Sequence, residues 1–175
     1  IAFNINTLAF MPIVGLGIGV TVLTGQYVGR KMPETAELSV LSGMRMSFLY
    51  MALIGAVYVF LPDMLVSLFM RGNDIPRIEA MREMSRILLR FVALYSFFDA
   101  MSITFSSGLK GAGDTSFVMR AVLLVAVFSL IIPTWAAVFY FKRGIYTSWW
   151  ILTVYAILLG FTYYLRFRQG RWKGM

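Results

Sequence analysis

About five stretches of this chain are apolar for roughly twenty residues or more, and Gly, Pro or basic residues set each one off from the next. A helix rising 1.5 Å per residue needs about 20 apolar residues to cross a hydrocarbon core of roughly 30 Å. A soluble core cannot take up several such runs. Here 59% of the 175 residues are hydrophobic and 14% charged, with a mean hydropathy of +0.77, whereas soluble domains are roughly half apolar and a quarter charged. The expected fold is therefore an all-α membrane protein, a multi-pass bundle of about five transmembrane helices forming a single domain over residues 1–175. Its spans are expected near 2–28, 36–60, 76–108, 115–141 and 145–167.

The first run carries Gly15, Gly19, Gly25 and Gly29, two small-x-x-x-small pairs of the kind that lets membrane helices approach closely, so it is expected to pack against neighbours and not face lipid. Pro12 is a candidate kink, and Gly29 to Glu34 supplies the Gly, basic residues and Pro that stop a helix. After Pro62, residues 64–70 are too short to span and are expected at the interface. From Pro76, Arg77, Glu79, Arg82, Glu83 and Arg86 alternate with apolar positions in an amphipathic pattern that flows into the run from Ile87 to Phe105, predicting one long helix that emerges from the membrane. Gly108 to Gly113 breaks it, and the oxygens of Asp114, Thr115 and Ser116 are expected to cap the next helix, which Pro133 is expected to bend. Trp149 and Trp150 suit the headgroup level, as does the basic and aromatic end from Tyr163 to Lys173.

The formal charge of +8 lies between and after the apolar runs, so it reads as topology and headgroup contacts and not as a nucleic-acid surface. With the C-terminus in the cytoplasm, about nine basic residues, Arg30, Lys31 and Arg45 among them, fall on that side against about seven opposite. The chain has neither Cys nor His, which removes thiolate and imidazole chemistry, and no Ser or Asp arrangement has the spacing of an intramembrane hydrolase. No enzyme activity and no cofactor is expected. Ile1 is not an initiator Met and no charged segment precedes the first run, so the chain is expected to be part of a longer one.

Most charged residues lie at the ends of spans, where long side chains reach water, but Asp99 does not. Asp99 stands in the middle of its apolar run, about 18 Å of helix rise before Gly111, too far for a short side chain to reach water. A charge there costs on the order of 2.5–3.5 kcal/mol even on the lenient insertion scale. On a 3.6-residue period its own face carries Tyr95, Ser96, Ser102 and Ser106, a stripe of oxygens suited to a hard cation. A proton can neutralise the same group, so Na+ and H+ both stay open as coupling ions, with Asp99, Tyr95, Ser96 and Ser102 as candidate cation-binding residues. The competing reading makes Asp99 a structural partner of a basic group on another helix; Arg90, nine positions earlier, is poorly placed to pair with it. Asn4, Asn6, Thr7, Thr21, Thr24 and Gln26 are candidates to line a polar passage or simply to bond neighbouring helices. The 12 Met residues suit an adaptable cavity or ordinary gap filling.

Three stretches carry a resemblance: Thr24-Gly-Gln-Tyr-Val-Gly-Arg30, Pro62-Asp-Met-Leu65 and Gly108-Leu-Lys-Gly-Ala-Gly-Asp-Thr115. In order and spacing the chain resembles the multidrug and toxic compound extrusion (MATE) family. The resemblance implies a twelve-helix, two-lobed transporter, with this chain covering helices two to six of one half; its basic end points to the C-terminal half. In the NorM-like branch an aspartate some three turns before the Gly-rich break and a tyrosine one turn earlier are implicated in cation binding, and Asp99 and Tyr95 match those positions. The half's first helix, which supplies a second carboxylate in that branch, is not represented.

Together these readings predict a cation-coupled antiporter of the cell membrane (plasma or inner) that exports cationic or amphipathic drug-like compounds, its partners being membrane lipids and the remainder of the same transporter chain. A lipid-linked precursor flippase of the same superfamily shares the helix pattern but calls for a basic cavity, and no Lys or Arg cluster sits in mid-span. A non-transporting assembly subunit would leave the cost of Asp99 unexplained.

Overall fold

The computed structural model describes the backbone of residues 2–62, 64, 75–139 and 145–174, and the side chains of these except 2–6, 75–86, 138–139 and 145–146. The chain is an all-α membrane protein. Its helices are α1 (Ala2–Gly29), α2 (Pro33–Phe60), α3 (Ile75–Gly111), α4 (Thr115–Ala126), α5 (Ile132–Phe139) and α6 (Ile145–Arg168), with a short 3-10 turn at Arg171–Gly174. Among the described residues five segments are long and apolar enough to cross a bilayer, with mean hydropathies from 1.4 to 2.3. Only 11 to 39% of each segment is buried. Large apolar side chains such as Leu49, Phe60, Phe128 and Leu53 point outward, the arrangement that lipid favours and water does not.

α3 is the central element, packed on α1, α2 and α6. Small side chains allow the approach, as expected where van der Waals contact drives association. A Cβ added at Gly111 would strike the Thr21 carbonyl of α1, and one at Gly160 of α6 would lie 2.9 Å from the Phe98 carbonyl of α3. Hydroxyls tie the same helices together. Thr21 shares its hydroxyl between the carbonyls of Gly17 (3.0 Å) and Ser107 (3.2 Å), and Tyr50 of α2 donates to the Ala9 carbonyl of α1 at 3.0 Å. The glycine expectation for α1 needs correction. Gly15, Gly19 and Gly29 meet nothing on this bundle, whereas Gly17, buried against Ile103 and Ser107, and Gly25, against Gly111, form the close seam with α3. The small-residue spacing is present, but it runs along two faces of the helix and α3 uses only one of them.

α1 continues through Pro12 without interruption. At Pro133 the disturbance takes the form of a π turn, Val127–Ile131, separating α4 from α5. Pro133 offers no N–H to the Ser129 carbonyl and its ring crowds that oxygen, so the preceding backbone widens. Ser129 turns its own hydroxyl to the Val125 carbonyl at 2.6 Å.

The end of the bundle that holds the α1–α2 turn is firmly closed. Val40, Phe105, Leu109, Val118, Tyr163, Phe167 and Trp172 form one buried cluster there. Trp172 stacks on Phe167 with ring centroids 5.1 Å apart and donates its indole N–H to the Phe167 carbonyl at 2.9 Å. The expected Asp114 cap does not form: Asp114 makes no side-chain bond to α4 but accepts from Arg166 Nε of α6 at 2.7 Å, and the Arg166 guanidinium lies 4.6 Å from the Phe117 ring. A charge-assisted bond in a buried setting outcompetes a neutral backbone N–H. The interfacial expectation for 64–70 lies outside the described residues except for exposed Met64. The side chains of the amphipathic start of α3, and those of Asn4 and Asn6, also lie outside them. Arg45, placed with the Gly29 end in the sequence reading, stands twelve residues into α2, about 18 Å of rise beyond Pro33, with its side chain exposed.

Candidate functional site

Away from that closed end, α1, α3 and α6 line a cavity of about 340 Å³. Thr7, Phe10, Met11 and Val14 of α1 line it, with Tyr95 and Asp99 of α3 and Leu152, Tyr155 and Ala156 of α6. Among the described residues Asp99 is the one charged group in this lining, and it lies midway along the apolar part of α3, Ile87–Gly111. Three further lining residues, Thr7, Tyr95 and Tyr155, carry hydroxyls; the others are apolar.

The positions follow from local structure. Tyr95 and Asp99 are one turn apart, so they share a face of α3. Tyr95 is 5% exposed and held in place by a tilted contact with Trp149 of α6, ring centroids 6.2 Å apart. Next to it lies the cluster of Tyr58, Leu89, Val92, Ala93 and Ala156. The neighbouring carbonyl of Phe98 packs against Gly160, which sets how closely α6 approaches the Asp99 turn. Among the described residues no Lys or Arg forms an ion pair with Asp99; the pairs found are Arg166 with Asp114 and Lys173 with Glu37. Arg90 is exposed on the outside of α3.

Of the four residues proposed from sequence, the fold brings Asp99 and Tyr95 into one cavity and leaves Ser96 and Ser102 outside its lining. Ser96 and Ser102 are both buried, and the Ser96 hydroxyl has no hydrogen-bond partner among the described residues. Helical spacing sets Ser96 and Ser102 about 60° to opposite sides of Asp99, and the cavity lining takes in Asp99 and Tyr95 without reaching either serine. Thr7, proposed for a polar passage, does reach the cavity. Thr21 serves packing as described above, Thr24 is buried with its hydroxyl unpartnered among the described residues, and Gln26 is exposed. Met11 is the one methionine in the lining. Tyr155 was not singled out from sequence. Its signal was nonetheless there, a polar-tipped aromatic ten residues into a spanning helix and away from the headgroup level where tyrosines usually sit.

This arrangement can hold a cation or a proton against a carboxylate flanked by hydroxyl oxygens, in a cavity whose walls come from three helices. Among the described residues no group of three or more acidic, His or Cys side chains is present, so the oxygens within reach are one carboxylate and hydroxyls.

Comparison with known proteins agrees with this architecture. A family model described as MatE matches residues 1–135. The chain is similar to the probable multidrug resistance protein NorM of Thermotoga maritima, 25% identical over 174 residues, covering 99% of this chain and 36% of that protein. It is similar to the multidrug resistance protein NorM of Burkholderia vietnamiensis, 27% identical over 175 residues, covering 95% of this chain and 37% of that protein. It also resembles the multidrug resistance protein PmpM of Pseudomonas aeruginosa, 28% identical over 129 residues, covering 74% of this chain and 25% of that protein. The chain thus spans between a quarter and little more than a third of the length of these curated relatives.

Proposed function

The chain belongs to the MatE family, and on that premise we propose that it works as part of a cation-coupled antiporter exporting cationic or amphipathic drug-like compounds across the cell membrane. The carrying observation is Asp99: a carboxylate in mid-span, opening on a cavity and unpaired with any Lys or Arg among the described residues. An uncompensated charge in that position is costly, so a coupling ion, Na+ or H+, is the natural partner. Tyr95, Thr7 and Tyr155 supply oxygens around it. The ion biases the equilibrium between the two orientations of the transporter only through unequal affinity for them, and an organic cation drawn to the same carboxylate is released as the ion arrives. The relatives' names as multidrug resistance proteins support the substrate class. The flippase alternative gains nothing from the structure, since among the described residues no Lys or Arg lines this cavity.

Equilibrium binding tests the reading. A fluorescent organic cation is titrated into the purified complete protein at rising Na+ and, separately, at falling pH. Coupling of about 1–3 kcal/mol is a 5- to 150-fold loss of affinity with the effective ion, and Asp99→Asn is expected to abolish that ion dependence. Retention of the full ion dependence in Asp99→Asn would contradict the proposal.

A further inference from the structure

Among the described residues three helix ends finish with a left-handed residue, and two of them use glycine: Gly113 after α3 (φ 95°) and Gly170 after α6 (φ 68°). The third, after α1, uses Lys31 (φ 59°). The α1 and α3 ends have the same backbone closure. Asp114 N–H bonds the Leu109 carbonyl and Gly113 N–H that of Lys110; likewise Met32 N–H bonds the Tyr27 carbonyl and Lys31 N–H that of Val28. Glycine is the usual residue at this position because a Cβ is crowded there. A lysine therefore carries a steric penalty that the turn itself does not require, and such outliers concentrate where a side chain is used.

Lys31 lines a cavity of about 340 Å³ together with Val28, Pro33, Lys173 and Gly174, near the small end of the roughly 300–1,000 Å³ typical of ligand pockets. Lys173 is fixed at this cavity by an ion pair with Glu37. Lys31 has no ion pair among the described residues. Two ammonium groups against one carboxylate leave the cavity net positive, and the partial positive charge where α2 begins at Pro33 adds to it. Arg30 adjoins it in sequence, and Arg171 belongs to the same 3-10 turn as Lys173. The cavity lies where the first span ends at Gly29, the second begins at Pro33 and the last ends at Arg168, which is headgroup depth. Basic pockets between helices at that depth suit phosphate-bearing lipid headgroups.

We propose that this cavity is a binding site for an anionic phospholipid, with Lys31 and Lys173 holding the headgroup phosphate where the α1–α2 turn meets the C-terminal 3-10 turn. The bound lipid ties α1, α2 and the end of α6 together at the closed end of the bundle. The phosphate oxygens alone do not distinguish a lipid from a soluble phosphate, but the position at the ends of three spans selects the lipid.

The test is thermal unfolding of the complete protein in phosphatidylcholine nanodiscs with and without phosphatidylglycerol at equal ionic strength. Lys31→Gly is the diagnostic variant, because glycine suits the left-handed turn. Its unfolding midpoint in pure phosphatidylcholine should equal or exceed that of the wild type, while the gain from phosphatidylglycerol disappears. Lys173→Gln should lose part of that gain, and Lys110→Gln, which removes an exposed charge outside the cavity, should keep it. Should Lys31→Gly fail to insert, Lys31→Asn serves, since Asn also tolerates this backbone. Full retention of the gain in Lys31→Gly, or equal loss in Lys110→Gln, overturns the site. A matching gain from inorganic phosphate in pure phosphatidylcholine overturns the lipid as its occupant.

Discussion

At the scale of single residues, one carboxylate and the hydroxyls around it carry the proposed coupling. Asp99 and Tyr95 stand out in the sequence because one is a charge and the other a polar ring, one turn apart, where lipid-spanning helices carry neither without reason. Tyr155 and Thr7 join them only in three dimensions, since their place in the cavity depends on how α6 and α1 cross α3, and helical periodicity within one segment carries no such information. Removing a neutral hydroxyl ligand is worth about 0.5–1.5 kcal/mol. Tyr155→Phe is therefore expected to weaken the ion's effect on drug binding by about 2- to 10-fold with drug affinity in the absence of the ion unchanged, measured by the same titration. The Ser102 hydroxyl lies outside the lining, so Ser102→Ala should leave that ion dependence at its wild-type value.

At the scale of elements, helix number and the breaks between helices were legible, because apolar length, Gly, Pro and charge are local signals. Details that depend on partners were not. Asp114 reads as a helix cap until Arg166, 52 positions later, is seen to take it, and the pairs Gly15/Gly19 and Gly25/Gly29 of α1 read as close-packing sites until α3 is seen to use Gly17 and Gly25. Replacing Arg166 with Gln strands a 5%-exposed carboxylate, expected to cost about 3 kcal/mol. Asp114→Asn added to that variant should recover part of the loss, read as a rise in unfolding midpoint over Arg166→Gln alone. Gly160→Ala forces α6 away from the Phe98 carbonyl and is expected to lower stability by about 1–3 kcal/mol. Because Phe98 precedes Asp99, the same change should also alter ion-dependent binding, whereas Gly29→Ala, where a Cβ meets nothing, should do neither.

At the scale of the whole molecule, one end of the bundle is locked by the Asp114–Arg166 pair, the Phe167–Trp172 stack and the Lys173–Glu37 pair, while the Asp99 cavity lies beyond it between α1, α3 and α6. The proposed activity is tested on the complete protein, since this chain covers little more than a third of the NorM relatives described above. The most direct measurement is efflux of an organic cation from proteoliposomes of the complete protein, wild type against Asp99→Asn, driven separately by a Na+ gradient and by a proton gradient. One gradient is expected to drive the wild type, and Asp99→Asn, inserted and folded to the same extent, is expected to lose that gradient-driven efflux. Efflux by Asp99→Asn at the wild-type rate under the same gradient would show that Asp99 is a structural group and that coupling lies elsewhere.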